Sequence, residues 1–247
     1  MNQFRFAQKY LRFSPYLGLT LILLFGVPRF IIVLNANLTG NYGLTSIIFV
    51  AMWLTPFLLL KRDGRKAIGI STPQKYQWLV YAFLIGIMVA TLGYFIGDLF
   101  YNHSIENWYA YISKSYRLTP DQLQGSNRII YFSIFAGTSM LFSPIGEELL
   151  YRGLIHESFV KRFGENKASI IDSTAFALTH LAHFGIVYVE GTWQFLFLPA
   201  LIWVAFMFLT SRLFYFCRKK SGSIYGAMLS HAGFNLAMTY FIFYHIL

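Results

Sequence analysis

Seven long apolar stretches dominate this chain, at roughly 15–35, 44–60, 78–101, 129–151, 168–184, 194–216 and 223–246. A helix that crosses a bilayer needs about 20 apolar residues, and each stretch is near that length. Of 247 residues, 56% are hydrophobic and 12% charged, where soluble domains run to about 25% charged. A water-soluble core of this size cannot hide 26 Phe and 17 Tyr as well as the aliphatic residues. The expected fold is all-α: a polytopic transmembrane bundle of about seven to eight helices, forming one integral membrane domain over 1–247. Pro199 interrupts the sixth stretch, and 184–216 has room for an extra short or re-entrant segment.

The net charge of +10 is no sign of nucleic-acid binding, because the basic residues sit in short loops between apolar spans. With a cytoplasmic N-terminus and seven crossings, the cytoplasmic segments are 1–14, 61–77, 152–167 and 217–222. They hold 15 of the 20 Lys and Arg, including Arg5, Lys9 and Arg12 at the start and Arg218, Lys219 and Lys220 near the end. The opposite segments hold Lys114 and Arg117, with Arg128 at a boundary, while Arg29 and Arg212 fall inside spans near their ends. This bias predicts N-in and C-out. The basic start resembles a signal peptide, but its apolar stretch is too long and no small-x-small site follows, so it reads as the first crossing. The loop 102–128 gathers Trp108, Tyr109, Tyr111 and Tyr116, which predicts a helix at headgroup level. Cys217, the single cysteine, excludes an intrachain disulfide and reads as an ordinary interfacial residue.

Ionisable residues inside apolar spans are costly and mark function by default. Three such groups stand out. The first is Glu147-Glu148, just after Pro144 and Gly146 and four residues before Arg152. Pro144 should kink its helix. Glu148 and Arg152 share a face and read as an ion pair at a helix end. Glu147 points about 100° away and is left to face a cavity. The second group is His180, with His183 one turn on, and the third is His231 with Asn235 on one face. A carboxylate can take a proton from water, a His can share that task, and a His with an Asn amide can donate to a developing oxyanion. The set suits amide hydrolysis. It lacks a persuasive nucleophile: neither Ser143 nor Ser230 sits in a recognisable elbow. Zinc held by Glu147, His180 and His231 is the nearest rival, although no H-E-x-x-H occurs.

Glu147-Glu148-Leu149-Leu150-Tyr151-Arg152 fits E-E-x-x-x-R, Phe176 to His180 fits F-x-x-x-H, and His231 to Asn235 fits H-x-x-x-N. With these motifs in this order, the chain resembles the CAAX protease and bacteriocin-processing (CPBP or Abi) family, which includes the type II CAAX prenyl endopeptidases. The resemblance covers about 129–246. It implies a glutamate-dependent intramembrane protease in which Glu147 activates water, His180 assists, His231 and Asn235 form the oxyanion site, and Glu148 and Arg152 support them. It implies no metal or other cofactor. The expected substrate is a peptide precursor, of bacteriocin or quorum-sensing type, or a lipid-anchored protein, met at the cytoplasmic face of a bacterial plasma membrane. The partners are then that substrate and membrane lipids, with no nucleic acid. A non-catalytic membrane scaffold or regulator and a proton-coupled transporter are the alternatives. Simple spans leave Glu147 at a cytoplasmic helix end and His180 about twelve residues deep. The sequence therefore calls for a helix that runs on from Pro144 toward Phe163, and for a cavity open to the cytoplasmic side.

Overall fold

The computed structural model describes residues 3–5 and 11–247; Lys9 of the basic start lies outside them. Helix α1 is Pro15–Thr39, α2 Gly43–Leu59, α3 Arg62–Ala67, α4 Gln77–Tyr101 and α5 Trp108–Ser113. Helix α6, Asn127–Glu147, runs straight into a π-helical stretch, Glu148–Ile155, and then into α7, His156–Thr179. Helices α8, Phe197–Ser221, and α9, Ile224–Phe241, complete the bundle. Among the described residues four helical segments are long and apolar enough to cross a membrane: α1, α4, the run Asn127–Ala182 and α8; α2 is apolar but shorter. The protein is an all-α membrane bundle.

The caps follow local chemistry. Ser14 accepts from the Leu17 N–H and Pro15 opens α1, a favoured start because proline needs no amide partner there. The region 184–216 holds no re-entrant helix. Strand β1, Ile186–Val189, pairs antiparallel with β2, Thr192–Phe195, in a hairpin ahead of α8. Gly185 and Gly191 are both at positive φ, before the hairpin and at its turn.

The helix from Pro144 does run on to Phe163. It then folds back at Gly164, whose φ of 75° and ψ of 166° suit glycine alone. Pairs of residues straddle this turn almost evenly. His156 Nδ1 donates to Asp172 Oδ2 at 2.7 Å, and Tyr151 meets the Phe176 ring at 5.5 Å between centroids. Glu147, 17 residues before Gly164, and His180, 16 after it, line one cavity. At 1.5 Å per residue both stand about 25 Å from the turn. The mismatch in depth disappears once distance is counted from Gly164 rather than from loop ends.

Helix α9 lies against α4 through reciprocal glycines. A Cβ on Gly86 would run into the Ser230 carbonyl oxygen, and one on Gly233 into that of Phe83. Small residues let membrane helices approach backbone to backbone. Gly146 likewise abuts the Phe49 carbonyl of α2, which seats the helix next to Glu147. Because backbone cannot move aside as a side chain can, Gly86→Ala is expected to cost at least about 1–3 kcal/mol, read as a lower unfolding midpoint in detergent.

The aromatic loop departs from expectation. Helix α5 exists, but Trp108 and Tyr109 are fully buried, and the Tyr109 hydroxyl donates to the Ala90 carbonyl at 2.6 Å. Their rings plug the end of the bundle instead of lying among headgroups. Cys217, near the end of α8, is also fully buried.

Candidate active site

Six polar residues singled out in the sequence converge, from four elements of the fold. Glu147 ends α6, Glu148 and Arg152 lie on the π-helical turn, His180 follows α7, and His231 and Asn235 lie on α9. A π stretch is a frequent mark of functional sites. Here the widened helix keeps the Glu148–Arg152 pair, with Nη1 to Oε1 at 3.2 Å. Both residues are 0% exposed, so the expected pair forms and lies inside the bundle. Arg152 also donates to Ser211 Oγ at 2.6 Å, and its guanidinium lies 4.2 Å from the Phe176 ring centroid. A buried charge needs such partners.

Glu148 holds a second partner. His231 Nδ1 donates to Glu148 Oε1 at 2.8 Å, while its Nε2 lies 3.8 Å from Glu147 Oε2. The Phe214 ring stacks on the imidazole at 4.8 Å and fixes its plane. His180 is oriented differently: its Nδ1 donates to the Phe176 carbonyl at 2.7 Å, since a carbonyl can only accept. In the neutral ring this leaves the Nε2 lone pair free. Phe176 thus explains the spacing of F-x-x-x-H: its carbonyl sets the imidazole and its ring supports Arg152.

Glu147 is not the free carboxylate the sequence suggested. Arg29 of α1 reaches it, Nη2 to Oε1 at 2.5 Å, and the two side chains are 2% and 1% exposed. Arg29 also donates to Thr179 Oγ1 at 2.9 Å, and its Nη2 lies 3.4 Å from His183 Nε2. Sequence reasoning placed Arg29 near a span end and passed over it. Yet it sits fifteenth in a 25-residue apolar helix, and the rule that flagged Glu147 applies equally to it.

Asn235 is committed elsewhere too. An amide has two N–H donors, and its Nδ2 donates to the Ser139 carbonyl at 2.7 Å and to Ser143 Oγ at 3.0 Å. No donor is left over for an oxyanion in this arrangement. The zinc set would need rearrangement: Glu147 carries the Arg29 cation, which a divalent ion would have to displace. Among the described residues no cluster of three His, Cys, Asp or Glu suits a metal ion.

Glu147, His180, His183, His231 and Asn235 line one cavity of about 290 Å³. Its walls extend along α6 to Phe135 and include Ile112 and Tyr116 of the loop 102–128. That end of the bundle is opposite Arg218 and Gly69, where the basic segments gather. The cavity therefore reaches toward the sparsely charged end, not toward the basic end as expected. The arrangement can hold water or a peptide carbonyl between carboxylate and imidazoles, in an open-sided cavity lined largely by apolar groups.

Such a site inside apolar helices defines an integral membrane protein with a buried carboxylate–imidazole centre. Residues 129–237 match the family model described as Type II CAAX prenyl endopeptidase Rce1-like, the stretch that carries all three motifs. That family is a protease family, and the match supports a hydrolase of the CAAX-protease type acting within the membrane. No curated protein and no solved structure matches the chain.

Proposed function

We propose that the protein is an intramembrane endopeptidase that cuts a peptide bond with water activated by Glu147 and His180. The observation that carries this reading is the meeting of the buried Glu147, His180 and His231 on one cavity, within the stretch that matches a protease family. Water held between Glu147 and the free Nε2 of His180 attacks the carbonyl carbon and gives up its proton to that pair. The oxyanion forms toward His231 and Asn235. Collapse breaks the C–N bond, and the proton passes to the leaving amine. His231 can donate from Nε2 while Nδ1–H serves Glu148 only as the imidazolium, with Glu148 as its counter-ion. Asn235 must exchange a present acceptor for the substrate or act through it. Arg29 holds the Glu147 carboxylate in place, so the working unit is the single domain 1–247 and not 129–246 alone.

We read the substrate as a peptide, or a protein with a lipid or apolar anchor, that approaches through the membrane, and the largely apolar cavity supports this. Processing of a peptide precursor suits a chain of this topology in a bacterial plasma membrane, with N-in and C-out. Cells carrying Glu147→Gln should accumulate at least one uncut peptide that wild-type cells lack, seen by mass spectrometry of membrane and medium fractions. Identical peptide profiles would favour a scaffold or regulator.

A further inference from the structure

We propose that the hydroxyl of Ser143 is the group that donates to the developing oxyanion, with Asn235 acting through it. The inference rests on the protease reading above. Both N–H donors of Asn235 are in use, one on the Ser139 carbonyl and one on Ser143 Oγ. Ser143 Oγ accepts at 3.0 Å, and among the described residues its own proton has no acceptor. Serines inside helices commonly donate to the carbonyl four residues back, as Ser133 does to Ile129 and Ser158 to Leu154. Ser143 does not, and the Ser139 carbonyl that it would use is taken by Asn235.

Placement agrees. Ser143 is four residues before Glu147 on α6, so the two share a helix face, and both line the cavity. A hydroxyl that accepts from an amide becomes a better donor, since hydrogen bonds in a chain polarise one another. Asn235 to Ser143 to substrate oxygen is such a chain. It also removes the difficulty that Asn235 has no donor free, because nothing need be broken when the oxyanion forms. Ser143 keeps its proton and forms no bond to carbon; the nucleophile is still water.

The test uses full-length protein in proteoliposomes and the peptide that accumulates in Glu147→Gln cells. Losing one oxyanion donor lowers kcat by about 10²-fold, so Ser143→Ala should show that drop with KM little changed. Ser143→Thr keeps the hydroxyl and should recover most of the rate. Asn235→Ala should lose a similar factor, and the double variant little more than either single one, because the two act in series. Wild-type kcat in Ser143→Ala overturns the proposal, as does a double variant that falls by the product of the two. A protein-bound acyl group trapped at Ser143 would make it the nucleophile, and that too contradicts the assignment. If wild type and Glu147→Gln cut alike, the protease reading itself has failed, whatever Ser143 does.

Discussion

Arg29→Met should destabilise the folded protein by about 3–5 kcal/mol, the usual result of stripping one partner from a buried ion pair. Arg29 and Glu147 are 2% and 1% exposed and 2.5 Å apart. Removing the guanidinium leaves a carboxylate among apolar rings with no cation in contact and only His231 Nε2 near, at 3.8 Å. It also frees Thr179 Oγ1 and His183, both of which Arg29 touches. Adding Glu147→Gln in the same chain removes the unpaired charge and should restore much of the loss. Unfolding midpoints of the two single variants and the double variant give the coupling directly. Additive effects would mean that the pair is not the link between α1 and the catalytic helix.

Glu147→Gln should lower kcat by about 10²–10⁴-fold, the range for a lost general base. Gln has nearly the same shape and its carbonyl still accepts from Arg29, but the guanidinium loses its counter-charge, so kcat is read per folded protein, with the proton acceptor gone. The comparison with His180→Ala is informative because His180 offers a lone pair and Glu147 a carboxylate. If the two share one proton, each single variant loses most of the rate and the double variant loses little beyond that. Steady-state kinetics on the accumulated peptide measure it. A Glu147→Gln variant within a few-fold of wild type would remove the carboxylate from the mechanism.

The sequence made the outline plain and the connections obscure. All seven apolar stretches correspond to helical segments, because length and apolar content alone make a crossing segment. The helix from Pro144 to Phe163 was anticipated because the depths of Glu147 and His180 demanded it. The hairpin register about Gly164 was hidden, since nothing local distinguishes a turn glycine from others in a polar loop. The six polar residues were legible as ionisable or amide groups where lipid disfavours them. Their partners were not. Arg29 lies 118 positions before Glu147, and no periodicity links them. The double commitment of Asn235 depends on how α6 and α9 face each other, which spacing within one helix cannot reveal. The charge count pointed the site toward the basic end. The cavity reaches the other way, along α6 to Phe135 and to Ile112 and Tyr116, and that path is not encoded in charge.

The most direct measurement is cleavage in ¹⁸O-water by wild-type protein reconstituted in bilayers. Hydrolysis by activated water should yield the cut peptide with one ¹⁸O in its new carboxyl group and no acyl adduct on the protein at any time. Uncut peptide, or intact peptide delivered to the vesicle lumen, would contradict the account.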